Sequence, residues 1–128
     1  MKDYLRVVAA IDENVGKVLD YLDENGLAEN TIVVYTSDQG MFLGEHSYYD
    51  KRWMYDEALK MPFLIRNPKE IKPKTQFNEM VTNLDFPELI LDYAGVEIPD
   101  TMQGRSFRKV LAGNTPKDWP QSMYYQYW

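Results

Sequence analysis

The stretch "TIVVYTSDQGMFLGEH", residues 31–46, decides how the chain is read. Ile32, Val33, Val34 and Tyr35 form a short apolar run rich in β-branched residues, the composition of a strand. Both faces of the run are apolar, which predicts a buried, parallel strand. The run stops abruptly in Ser37, Asp38, Gln39 and Gly40. In an open α/β sheet, ligands gather beyond the carboxyl ends of strands, so Asp38 and Gln39 stand where a site is expected.

Upstream, Leu5, Val8, Ile11, Val15, Val18, Leu19 and Leu22 recur at helical spacing. They predict a helix over 4–24, capped by Asp3, closed by Gly26 and packed on a sheet. A helix feeding a strand in this way is the second half of a βαβ unit. Downstream, 37–52 reads as a loop, "WMYDEALK" (53–60) as a short helix, and "MPFLIRNP" (61–68) as a second strand bounded by prolines. "LDFPELILDYAG" (84–95) predicts a helix with Asp85 and Glu88 at capping-box spacing, a buried stripe of Leu89, Ile90 and Tyr93, and a stop at Gly95. "SFRKVLAG" (106–113) predicts another short helix, and "MYYQYW" (123–128) a terminal aromatic strand. So thin a sheet points to one part of a larger α/β domain, because a stable sheet normally needs three or more strands.

Composition narrows the function classes. Lys and Arg total 14 against 20 Asp and Glu, a net charge of −6, which argues against a nucleic-acid surface. The chain has no cysteine, so thiolate metal sites, disulfides and a cysteine nucleophile are excluded within it. No apolar stretch approaches the ~20 residues of a membrane span. The N-terminal stretch lacks a signal-peptide core, being broken by Asp12 and Glu13.

Asp38 offers a carboxylate and Gln39 a neutral amide oxygen. Both suit a hard cation such as Ca²⁺ or Mg²⁺ better than zinc, which prefers nitrogen and sulfur. His46, the only histidine, and Lys51 follow in the same loop. An imidazole can exchange a proton or hydrogen bond, and an ammonium can meet a tetrahedral anion. Singly, each residue has a plainer explanation: a turn, a structural histidine, a solvated lysine.

Taken in order, "VVYTSDQGMFLGEHSYYDKRWMYDEALKMPFLIR" resembles the C-terminal part of the catalytic domain of the formylglycine-dependent sulfatases, members of the alkaline phosphatase superfamily. "NLDFPELILDYAGVEIPDTMQGRSF" resembles that family's later helix and its "GRS" turn. The resemblance implies a partial sulfatase fold, a mainly parallel sheet flanked by helices. Residues 1–118 would continue the catalytic domain, and 119–128 would begin a strand of a smaller C-terminal subdomain. It implies Asp38 and Gln39 as metal ligands, with Ca²⁺ preferred to Mg²⁺. It implies Lys51 against the sulfate group and His46 lining the pocket. Glu45 would orient the loop rather than react. The implied substrate is a sulfated carbohydrate or small molecule, and the implied location periplasmic or extracellular.

The departure is as informative. The family's nucleophile sits in a Cys/Ser-x-Pro-x-Arg motif, where the Cys or Ser becomes formylglycine. Ser37, Ser47, Ser106 and Ser122 all stand in other contexts. The formylglycine and a first pair of metal-binding aspartates are therefore expected upstream, in an N-terminal part of the same domain, and the chain alone is expected to be inactive. Two other readings stay open. One is a phosphate or phosphonate ester hydrolase of the same superfamily, although Gln39 where a histidine would favour a transition metal leans toward sulfatase. The other is a non-catalytic sugar-binding module using Tyr48, Tyr49, Trp53 and Tyr55, which otherwise simply pack the loop.

Overall fold

A computed structural model describes residues 1–126 of the chain. It divides into two compact units, Met1–Lys69 and Glu70–Gln126.

In the first unit, α1 runs Lys2–Glu24, longer by two residues at its start than its apolar pattern predicts. Asp3 is inside the first turn and not its cap; its carboxylate accepts from Arg6 at 2.9 Å. The helix ends as expected at Gly26, φ +65°, with Leu27 N donating to Leu22 O at 2.8 Å and Gly26 N to Asp23 O at 3.2 Å. That paired closure is a Schellman motif. The apolar stripe, however, is only partly covered: Val15, Leu19 and Leu22 are half-buried, and among the described residues α1 fully buries no side chain.

Strands β1 (Val33–Thr36) and β2 (Phe63–Arg66) form a two-stranded sheet. They pair antiparallel, Val33 opposite Arg66 and Thr36 opposite Phe63. This corrects the parallel expectation for the strand at 31–36. A parallel return needs a crossover that carries the chain back to the starting edge. Residues 37–62 instead hold a compact loop and a single helical turn, α2 (Asp56–Leu59), which deliver β2 at the end where β1 stops. Nor is β1 buried within the chain, since Val34 is 45% and Tyr35 39% exposed.

The second unit is built on α3 (Phe86–Ala94) and α4 (Arg108–Leu111). The expected cap at Asp85 is displaced. A 3-10 turn, Asn83–Asp85, precedes α3, and its capping box joins Thr82 to Asp85, with Thr82 N donating to Asp85 Oδ2 at 2.7 Å. Because the 3-10 turn continues into α3, the cap moves one turn upstream and Glu88 is freed for the interior, where it is buried. Leu89, Phe107, Val110, Leu111 and Trp119 are buried too, whereas Ile90, expected in the stripe, is 65% exposed. The "GRS" turn is tied to α3: Arg105 N donates to Asp85 Oδ1 at 2.9 Å, and Ser106 Oγ donates to Asp92. Arg108 bridges Asp92 and Glu70 and lies over the Tyr93 ring at 4.7 Å. Residues 123–126 of the expected terminal strand take no regular structure, and the last two of that stretch lie outside the described residues.

Candidate functional site

The residues after β1 turn closely across α2. A Cβ added to Gly40 would stand 2.1 Å from the Glu57 carbonyl oxygen, so only glycine fits this approach. Gly40 N donates to Ala58 O at 3.2 Å. The Gln39 side chain uses the same acceptor: Nε2 donates to Ala58 O at 2.8 Å and to Lys51 O at 3.1 Å. Both partners are carbonyls, which only the nitrogen end of the carboxamide can satisfy. Its Oε1 is thereby turned away from them and accepts no hydrogen bond among the described residues. Asp38 beside it is exposed, its carboxylate unengaged among the described residues. A carboxylate and an amide oxygen thus stand free on consecutive residues, the donor chemistry of a hard cation. They are two donors only, since no cluster of three or more His, Asp or Glu able to hold a metal occurs among the described residues.

Loop 41–58 is built around Phe42, which is fully buried. Phe42 N donates to Asp50 O at 2.8 Å and Gly44 N to Tyr48 O at 3.0 Å, drawing the loop into a narrow ribbon. At its tip, His46 and Ser47 adopt left-handed backbone, φ +52° and +63°. Glu45 shapes that tip. Its carboxylate accepts the Leu43 N–H at 2.6 Å, which holds its pKa below the ordinary carboxylate value, helped by its own backbone N–H. The His46 ring stacks on Tyr55, centroids 4.3 Å apart, meets Phe42 edge-on, and turns Nε2 to Glu57 Oε1 at 3.5 Å. Tyr48 and Tyr55 pack edge-on against Phe42, and Tyr48 stacks on Trp53. Three of the four aromatics with sugar-binding potential therefore pack the loop, and Tyr49 remains 67% exposed.

Lys51 follows Asp50, whose carboxylate accepts the Lys51 N–H at 2.7 Å. That bond, and Arg52 beyond it, hold the Asp50 pKa below its usual value. The Lys51 ammonium is exposed and meets no acceptor among the described residues. Gln39 and Lys51 are thus joined through the backbone, and His46 is fixed separately against α2. Sequence reasoning missed Glu57 and the Ala58 carbonyl, the groups of α2 that hold the loop. A main-chain acceptor has no sequence signature, and a glutamate in a charged helical turn reads as solvated.

Residues 44–128 match the family model described as N-sulphoglucosamine sulphohydrolase, C-terminal. The chain belongs to this family of sulfatases, within the alkaline phosphatase superfamily. It is 51% identical over 130 residues to the N-acetylglucosamine-6-O-sulfatase of Bacteroides thetaiotaomicron, covering 100% of this sulfatase chain and 23% of that relative. A solved structure in complex with its substrate D-glucosamine-2-N,6-O-disulfate superposes with a TM-score of 0.93 at 50% identity, covering 98% of this chain and 26% of the other. The phosphonate monoester hydrolase of Silicibacter pomeroyi superposes at 0.81 with 38% identity, over 87% of this chain and 22% of its own. The chain therefore has part of the sulfatase fold, which is alkaline-phosphatase-like, and spans about a quarter of the length of the curated relatives it matches.

Proposed function

We propose that this sulfatase chain is the latter part of a catalytic domain that hydrolyses sulfate esters of carbohydrates, with a sulfated glucosamine as substrate. The observation that carries the reading is the Gln39 carboxamide, locked by two carbonyls so that Oε1 stands free beside the unengaged Asp38 carboxylate. These oxygens fit Ca²⁺, in preference to Mg²⁺, as part of a shell of about 6–8 oxygens. When bound, the cation neutralises sulfate oxygens, and a formylglycine from an N-terminal part of the same domain supplies the nucleophile. Asp38 and Gln39 hold the cation. The Lys51 ammonium meets the sulfo group and offsets charge that develops on it or on the leaving oxygen. His46 lines the pocket.

The N-terminal part is supported as a partner by surface that the chain leaves uncovered. Val7, Ile11, Val18, Val33 and Tyr35 line an apolar groove of about 540 Å³ between α1 and β1. Contiguous apolar surface of this kind marks an interface. Residues 119–128 begin the strand of the smaller subdomain in this reading. The chain alone turns over no sulfate ester and binds Ca²⁺ weakly.

The experiment is hydrolysis of matched sulfate and phosphonate esters by the complete protein. Faster, Ca²⁺-dependent sulfate release from 6-O-sulfated glucosamine is expected. Preference for the phosphonate ester would transfer the protein to the hydrolase branch of the superfamily.

A further inference from the structure

The left-handed backbone at His46 is a conformation that non-glycine residues rarely hold unless their surroundings impose it. Here three contacts impose it on an imidazole: Tyr55 stacks on one face, Phe42 meets it edge-on, and Glu57 Oε1 faces Nε2 at 3.5 Å. Tyr55 precedes, and Glu57 lies within, the turn α2 whose Ala58 carbonyl holds Gln39 and Gly40. One short helical turn therefore meets both Gln39 and the ring. The 3.5 Å separation is a charge contact rather than a hydrogen bond, and a carboxylate on that side of the ring favours the tautomer with its proton on Nε2, leaving Nδ1 as the acceptor. Nδ1 has no hydrogen bond among the described residues.

We propose that Glu57 is a positioning residue: it holds the His46 ring so that Nδ1 accepts a hydrogen bond from a hydroxyl of the sugar sulfate. This rests on the sulfatase reading above and adds to it a determinant of carbohydrate over aryl substrates. A site built to bond a hydroxyl discriminates against an ester that lacks one.

The test compares a glucosamine 6-sulfate with nitrophenyl sulfate, which has no hydroxyl, in the complete enzyme. Glu57→Ala is expected to lower kcat/KM for the sugar sulfate about tenfold, the worth of a hydrogen bond to be lost, and for nitrophenyl sulfate several-fold less. Glu57→Gln, which keeps an oxygen acceptor, is expected to recover most of the loss. In a His46→Ala background, Glu57→Ala adds little. Equal losses on both esters, or an undiminished loss in the His46→Ala background, would overturn the proposal as a general effect on folding. A second measurement does not depend on turnover. The ¹⁵N imidazole signals of His46 in the complete enzyme are assigned by their loss in His46→Ala. The Nε2-protonated tautomer is expected, giving way to a mixture in Glu57→Ala; a spectrum unchanged by that substitution would overturn the contact. Inactivity of the unaltered enzyme toward both esters would defeat the sulfatase reading, and this role with it, even with the tautomer intact.

Discussion

The Gln39 side-chain nitrogen donates to the backbone carbonyl of Lys51 at 3.1 Å, so the residue that ends the β1 turn also anchors the residue twelve positions later that carries the free ammonium. One carboxamide has two ends in different settings. Its nitrogen closes the loop against Lys51 and Ala58, and its oxygen, the proposed cation ligand, accepts no hydrogen bond among the described residues. A carboxylate or an imidazole at this position does not reproduce both.

Gln39→Glu tests that division of labour. The variant keeps an oxygen ligand but loses both N–H donors and sets a negative charge against two carbonyls. It is expected to destabilise the chain by about 1–2 kcal/mol, the worth of the lost bonds, read as a lower urea midpoint. In the complete enzyme, activity falls although a carboxylate is nominally the stronger ligand. Unchanged stability would show that the two bonds do not form.

Gly40→Ala places a methyl group 2.1 Å from the Glu57 carbonyl, which is main chain and cannot swing aside. A loss of about 2–3 kcal/mol is expected. Gly16 is the control. It lies inside α1 with nothing within 4 Å of its added Cβ, so Gly16→Ala is expected to stabilise by about 0.5–1 kcal/mol. Similar effects from the two substitutions, by thermal unfolding, would contradict the packing described for Gly40.

Lys51→Ala removes an ammonium with no acceptor in the described chain. Thermal stability is expected to hold, while kcat of the complete enzyme drops about 10²–10³-fold, as for loss of one charge-stabilising donor. A variant with near-normal kcat would remove Lys51 from the reaction.

Acid stability is expected to depend on the second unit. Asp92 is held below its ordinary pKa first by the Ser106 hydroxyl and then by Arg108, and Glu70 by Arg108. Carboxylates with depressed folded pKa values contribute stability that is present above their unfolded values, 3.8 and 4.5, and is lost as pH falls through the lower folded ones. Urea unfolding from pH 5 downward should show that decline. Arg108→Met should flatten it, because both carboxylates then titrate nearer their unfolded values. An identical pH slope in the variant would show that the pairing contributes nothing, as is common for half-exposed ion pairs.

Much of this was legible in the residues. The β-branched run before Ser37-Asp38-Gln39-Gly40 marks the strand end, and Gly26 and Gly95 mark helix stops that the backbone confirms. The strand direction was not legible. Val33 to Tyr35 are apolar on both faces whatever their neighbours, and antiparallel pairing follows from the compact loop at 37–62. The cap of α3 was ambiguous because "TNLDFPE" contains two overlapping frames, Thr82 with Asp85 and Asp85 with Glu88. The 3-10 turn selects the first. The apolar stripe of α1 was legible; it faces β1, but among the described residues no side chain of α1 is fully buried.

The most direct measurement is a crystal structure of the complete enzyme grown with Ca²⁺. The account predicts one ion bound by the Asp38 carboxylate and by Gln39 Oε1 at about 2.3–2.6 Å, with Gln39 Nε2 still on the carbonyls of Lys51 and Ala58. An ion held without these two residues, or a Gln39 carboxamide released from both carbonyls, would contradict it.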